Sequence, residues 1–119
     1  MSSKSNAAFN LEESLLNLGG DEELFQEIAE MFFEESQENM ALLRAAIDAG
    51  DSQNIMKSAH ALKGMVSNFA AHGVRAPALR LEKMGRRSEL ADAGATFTLL
   101  EVHINELGRA LRETLTHMS

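Results

Sequence analysis

Apolar residues recur at steps of three and four along most of the chain, and few residues interrupt this spacing. Of the 119 residues, one is proline, and none is tryptophan, tyrosine or cysteine. A chain rich in Leu, Ala, Glu and Met with so few helix breakers favours helices, and the spacing is typical of helices that bury one face. No strand pattern and no internal repeat accompany it. The sequence therefore predicts an all-α fold, an antiparallel four-helix bundle with one or two short extra helices at its N-terminal side.

The first residues differ in character from the remainder. Residues 1–9 are expected to form a flexible tail, and residues 10–119 a single helical bundle domain of a size that supports one core. The start has no apolar signal core, and no apolar run is long enough to span a membrane. Cytoplasm is the expected location.

Caps and stops set the expected helix limits. Asn10 is a candidate N-cap, with Glu13 at capping-box spacing. Asp21 is a candidate cap for the second helix, and Asp51 or Ser52 for the helix that follows Gly50. Because the apolar phase changes near Ser36, a break near residues 35–37 is favoured over one bent helix.

The second half of the chain is expected to hold three helices. The first covers about residues 51–71, and the next begins close to Pro77, which is tolerated in a first turn. A polar connection over residues 85–94 then leads to a last helix of about residues 95–117.

The charge of the chain is unevenly spread. The net charge is −7, but residues 1–50 carry −9 and residues 51–90 carry +4. The positive segment can steer an acidic partner surface or a phosphoryl group, or it can be a chance cluster of solvated side chains. The overall acidity and the lack of stacking aromatics disfavour nucleic acid as a partner.

The stretch Ser58–Phe69, SAHALKGMVSNF, places a nucleophile on an exposed helical face. At about 100° per residue, His60 lies roughly 140° from the middle of the apolar stripe. That stripe consists of Ile55, Ala59, Leu62, Val66 and Phe69. Lys63 and Gly64 follow His60 by three and four residues, so they lie beside it.

Neutral imidazole can accept a phosphoryl group on nitrogen and pass it on. Such a site requires an exposed ring, nearby positive charge and free space beside the ring. His60, Lys63 and Gly64 meet these requirements in turn. A glycine in mid-helix costs about 1 kcal/mol relative to alanine, which suggests a steric reason for Gly64.

AHALKG resembles the phosphoacceptor motif of the histidine-containing phosphotransfer (HPt) family. GGDEELFQEIAEMFFEES resembles the helix that precedes this motif in the family, and LRLEKM resembles the helix that follows it. The resemblance covers about residues 10–87. Met65 and Val66 depart from it, because the family commonly has small residues there, as does Ala70, where a glycine is common.

The resemblance implies a role for each residue of the motif. His60 would be phosphorylated on Nε2, Lys63 would stabilise the phosphoryl group, and Gly64 would leave room for it. Glu82 stands where the family often has Gln or Glu hydrogen-bonded to the other ring nitrogen, and a solvated glutamate is the alternative. Candidate partner-binding residues are Met56, Lys57, Ser67, Arg80 and Lys83.

The resemblance further implies a phosphorelay carrier, which accepts a phosphoryl group on His60 from a response-regulator receiver aspartate and transfers it to another receiver. The chain has no phosphate-cradling glycine loop and no Glu-x-x-His pair, so neither an ATP site nor a metal site is expected. A carrier without its own catalytic centre is predicted, with Mg²⁺ on the partner receiver. The expected partners are receiver domains and a hybrid histidine kinase. The protein is expected to be a monomer that does not bind a membrane.

Two other functions fit the same residues. One is the phosphoacceptor (P1-type) domain of a chemotaxis-type histidine kinase, and the other is a helical adaptor that is never phosphorylated. The initial methionine and the charged tail favour a free-standing protein over the excised end of a larger kinase.

Overall fold

The computed structural model describes residues 5–6 and 8–118. Within these residues the chain forms five helices: α1 (Leu11–Asn17), α2 (Glu22–Ala49), α3 (Ser52–Ser67), α4 (His72–Arg87) and α5 (Ala93–Met118). Two short strands, β1 (Ser5–Asn6) and β2 (Phe9–Asn10), pair antiparallel before α1. The predicted helical bundle with a short extra helix at its N-terminal side is confirmed, and the small β-hairpin was not predicted.

The four long helices form a closed ring in which each packs against its sequence neighbours and α5 returns to α2. The α3–α4 contact is the most extensive and the α2–α5 contact the least. Connections of two to five residues separate consecutive long helices, so neighbours run antiparallel. The α3–α4 edge and the α2–α5 edge therefore lie on opposite sides of the bundle.

The predicted N-caps are present, and of the two candidates before α3 it is Asp51 that caps, while Ser52 is the first helical residue. The side chains of Asn10, Asp21 and Asp51 each accept a hydrogen bond from the backbone N–H three residues later, at 2.9, 3.0 and 3.2 Å. Each such cap contributes about 1 kcal/mol to helix stability. Gly50 ends α2 with a φ of +67°, in the left-handed region that glycine adopts without strain.

Four phenylalanines join the N-terminal segment to the core. Phe69 contacts Phe9, Phe25 and Phe32 edge to face, with ring centroids 5.7 to 6.5 Å apart. Phe9 is only 3% exposed, so the folded core begins earlier than the boundary expected between residues 9 and 10. The remainder of the expected tail, residues 1–4 and 7 and the side chains of residues 5–6, lies outside the described residues.

The expected break in the second helix is wrong, because α2 continues through residues 35–37 as one helix of 28 residues. This helix contains no glycine or proline. Ser36 occupies a core position between Phe32 and Leu43, so a small polar residue interrupts the apolar pattern without ending the buried stripe. The buried stripe of α2 includes Phe25, Ala29 and Phe32, whereas Met31 is 53% exposed.

Helix α4 begins at His72, earlier than expected. Val74 and Arg75 donate backbone hydrogen bonds to the carbonyl of Ala71, so Pro77 lies inside the helix and is buried. Gly85 also belongs to α4 and not to a connection. The sequence did not predict this helix start, because the residue before it, Ala71, has no side chain that can cap a helix.

Candidate functional site

His60 lies in the middle of α3 on its solvent face, and its side chain is 67% exposed. The five residues of the predicted apolar stripe are fully buried, which places the opposite face of the helix in water. An incoming group can reach the ring directly.

Glu82 reaches His60 from α4. Its Oε2 lies 2.9 Å from His60 Nδ1, and its Oε1 forms an ion pair with Lys63 Nζ at 2.7 Å. Arg86 Nη2 donates to Oε2 at 3.1 Å. Glu82 is only 3% exposed. Its carboxylate thus contacts the imidazole and one cation of α3 and a second cation of α4.

A close backbone contact sets the distance between these helices. A Cβ on Gly85 would lie 2.6 Å from the carbonyl oxygen of Ser52 and 2.7 Å from the backbone nitrogen of Met56. These are backbone atoms of α3 that cannot move aside cheaply. Gly85 therefore lets α4 approach α3 closely one turn beyond Glu82, so that a short glutamate side chain reaches the histidine.

Opposing effects act on the ionisation of Glu82. Burial raises the pKa of its carboxyl, but the contacts with Lys63 and His60 outweigh burial and lower the pKa from 4.5 to about 2. Glu82 is therefore a carboxylate at neutral pH.

A carboxylate only accepts hydrogen bonds, so in a neutral ring the proton lies on His60 Nδ1 and is donated to Glu82. Nε2 then carries the free lone pair on the exposed side of the ring. Hydrogen bonding to the carboxylate also fixes the orientation of the ring, as in histidines held by carboxylates at metal sites. Nε2 of His60 is therefore placed to act as a nucleophile.

Gly64 differs from Gly85 in its surroundings. A Cβ on Gly64 would meet no atom within 4 Å, so no contact inside the described protein requires glycine there. The space beside His60 is open to whatever approaches the ring.

Lys63 is close to the site, but its ammonium is held by Glu82 and its side chain is 20% exposed. Arg86 was not among the predicted site residues. The signal that could have found it is its spacing, since a glutamate followed by an arginine four residues later forms a pair on one helix face.

The predicted partner-binding residues surround the site on both helices. Lys57, Arg80 and Lys83 are exposed, and among residues 8–118 none of them forms an ion pair. Met56 is half-buried. Ser67 is exposed and donates its hydroxyl to the carbonyl of Lys63 at 2.8 Å.

Other histidines lie outside this cluster. His72 is 3.6 Å from Glu13 and His103 is 3.5 Å from Glu106. Among the described residues, no group of three or more histidine or acidic side chains is placed to hold a metal ion. None of the helices described here is both long and apolar enough to cross a membrane.

Comparison with known proteins agrees with the geometry. The sequence profile of the Hpt domain matches residues 27–117. The crystal structure of histidine-containing phosphotransfer protein B (HptB) from Pseudomonas aeruginosa PAO1 is similar, with a TM-score of 0.84 and 26% identity, covering 92% of this chain and 96% of that one. No curated protein sequence matches the chain. The profile spans well over half of the chain, and this protein therefore belongs to the Hpt domain family of histidine phosphocarriers in two-component phosphorelays.

Proposed function

We propose that His60 is the phosphoacceptor and that it exchanges a phosphoryl group with aspartates of response-regulator receiver domains. Hpt domains are phosphocarriers that work with receivers and histidine kinases. The observation that carries the assignment to His60 is the hydrogen bond between its Nδ1 and the buried Glu82 carboxylate. This bond leaves Nε2 unprotonated and exposed to a donor.

The proposed transfer is a displacement at phosphorus. The lone pair of Nε2 attacks the aspartyl phosphate, an N–P bond forms, and the P–O bond to the aspartate breaks, so that a free carboxylate leaves. The ring becomes a phosphoimidazolium whose Nδ1 proton stays in the hydrogen bond to Glu82, where the negative charge stabilises it. Attack by a second receiver aspartate on the same phosphorus returns the neutral ring.

Lys63 supplies positive charge for the phosphoryl oxygens. An ammonium has three N–H donors, and the contact with Glu82 occupies one of them. The others are available to a phosphoryl group on the neighbouring ring, and the open space at Gly64 admits its oxygens. The remaining catalytic carboxylates and a Mg²⁺ ion belong to the receiver in this proposal.

The receiver contacts the α3–α4 edge around His60. The exposed cations Lys57, Arg80 and Lys83 attract an acidic rim, and Met56 offers an adaptable apolar contact. We propose that the carrier is a monomer in the cytoplasm and that a hybrid histidine kinase supplies the receiver that donates the phosphoryl group.

The test is transfer of labelled phosphate from a phosphorylated receiver to the purified protein. We expect a label that is lost in acid and kept in base, absent from His60→Ala and retained in His72→Ala, which removes another exposed histidine. A second, unlabelled receiver should then remove it.

Two outcomes would contradict the proposal. A label that appears only with the ATP-binding domain of a chemotaxis-type kinase, and never with receivers, would make this a P1-type domain. Absence of label on a folded protein from either source would make it a helical adaptor.

A further inference from the structure

A groove of about 400 Å³ lies between α2 and α5, on the edge of the bundle opposite to His60. We call it the α2–α5 groove. Its apolar wall includes Phe32, Met40 and Ile104. This is the pair of neighbouring long helices with the least extensive contact, so the groove exists because α2 and α5 do not close on one another. Its volume lies within the range of about 300–1,000 Å³ that is typical of small-molecule sites.

Two arginines stand at the groove one helical turn apart. Arg109 and Arg112 both line it, and the Arg112 guanidinium lies over the ring of Phe33 at 4.4 Å. Neither forms an ion pair in the part of the chain that the structure describes. Among the described residues that line the groove, Glu101 is the one acidic residue, and it lies two turns before Arg109. Positive charge therefore gathers at one end of the groove in a protein of net charge −7.

We propose that the α2–α5 groove binds a small amphipathic monocarboxylate. The carboxylate pairs with Arg109 and Arg112, since guanidinium groups match carboxylate geometry, and the alkyl body packs on the partly exposed side chains of Phe33 and Met40. At about 30 Å³ per water-sized group, the volume holds roughly 13 such groups. A ten-carbon acid fits that space.

A helix of a partner protein fits this surface less well. Helix docking needs an apolar strip several turns long, whereas exposed Gln37 and Asn105 lie at the rim of the groove. The concave and polar-rimmed shape favours a compact ligand.

Gly108 offers a way to fill the groove without disturbing the bundle. It lines the cavity, and a Cβ there would meet no atom within 4 Å. Gly108→Leu should therefore fold and occupy the ligand's space. Gly94→Leu is a matched control, because Gly94 lies on the same helix, is exposed, and likewise has no atom within 4 Å of a Cβ.

The experiment is a titration of the ¹⁵N-labelled protein with sodium decanoate below its micelle concentration, followed by amide chemical shifts. We expect saturable shifts in residues 32–40 of α2 and 101–112 of α5. The Kd should rise about tenfold or more in Gly108→Leu and in the double variant Arg109→Ala/Arg112→Ala, and stay unchanged in Gly94→Leu. Melting curves by circular dichroism check that each variant folds.

Several results would overturn the proposal. These are the absence of saturable shifts up to about 5 mM decanoate, an unchanged Kd in folded Gly108→Leu, or equal binding of 1-decanol, which has the same chain without the charge. Labelling of His60 by a receiver is measured separately, so failure at the groove leaves the phosphotransfer proposal standing.

Discussion

Glu82 Oε2 and His60 Nδ1 are 2.9 Å apart, although the two residues lie on different helices and 22 positions apart in sequence. The carboxylate is buried and the ring is exposed. One group is thus shielded from water and kept charged, while the other presents its free nitrogen to a partner. The contact links the packing of α3 on α4 to the reactivity of the ring.

Replacing the carboxylate should slow phosphotransfer without abolishing it. Glu82→Gln removes the charge that holds the proton on Nδ1 and stabilises the phosphoimidazolium, so we expect the rate of labelling to fall about tenfold. Long-range ¹H–¹⁵N spectra of the ring should show more of the tautomer protonated on Nε2. Glu89→Gln, an exposed residue just after α4, is the matched control, and an equal effect of both variants would rule out this role of Glu82.

The ionisation of Glu82 should make part of the stability depend on pH. Because folding lowers its pKa from 4.5 to about 2, its carboxylate stabilises the fold fully above pH 4.5, and this contribution is lost as the pH falls towards 2. The shift corresponds to about 3 kcal/mol. Urea unfolding should show that the free energy of unfolding of the wild type, relative to Glu82→Gln, decreases by that amount between pH 6 and pH 2. A difference that stays constant over this range would contradict the lowered pKa.

Gly64→Ala should separate stability from activity. The added methyl meets no atom within 4 Å and favours helix, so the free energy of unfolding should rise by about 0.5–1 kcal/mol. Labelling by a phosphorylated receiver should become slower, because the methyl group enters the space that the phosphoryl group and the partner use.

Gly85→Ala provides the contrast for that experiment. Its methyl would lie 2.6 Å from backbone of α3, so we expect a loss of about 1–3 kcal/mol from overpacking. If Gly64→Ala also destabilised the fold, or left the transfer rate unchanged, the proposed steric role of Gly64 would be wrong.

Among the residues that the structure describes, two other than glycine adopt a positive φ. Replacing each of them by glycine should change the stability of the protein by a different amount. Ser88 ends α4 with a φ of +56° and is exposed, while Ala70 has a φ of +52° and is buried. Ser88→Gly should stabilise the protein by about 0.5–1 kcal/mol. Ala70→Gly should gain less, because it also removes a buried methyl worth about 0.8 kcal/mol. Thermal unfolding measures the stability of both variants. A larger gain in stability for Ala70→Gly than for Ser88→Gly would contradict this prediction.

Much of the site was visible in local sequence. The periodicity over Ile55 to Phe69 predicted both the buried face of α3 and the exposure of His60, and both are confirmed. The caps at Asn10 and Asp21, and a cap of α3 at Asp51 or Ser52, were predicted for the same reason, since each depends on residues within one turn. The single helix α2 was missed because Ser36 reads as polar in sequence, whereas its small size suits a core position.

Sequence by itself determined the helical class, the face of α3 that meets water, and the presence of His60, Lys63 and Gly64 on that face, because these follow from spacing along one helix. Only the tertiary structure decided that Glu82 is buried against His60, that Arg86 joins it, and that α2 and α5 leave a groove between them. These features depend on the distances between helices. Such distances are set by contacts such as that of Gly85 with Ser52 and Met56, which no local pattern encodes.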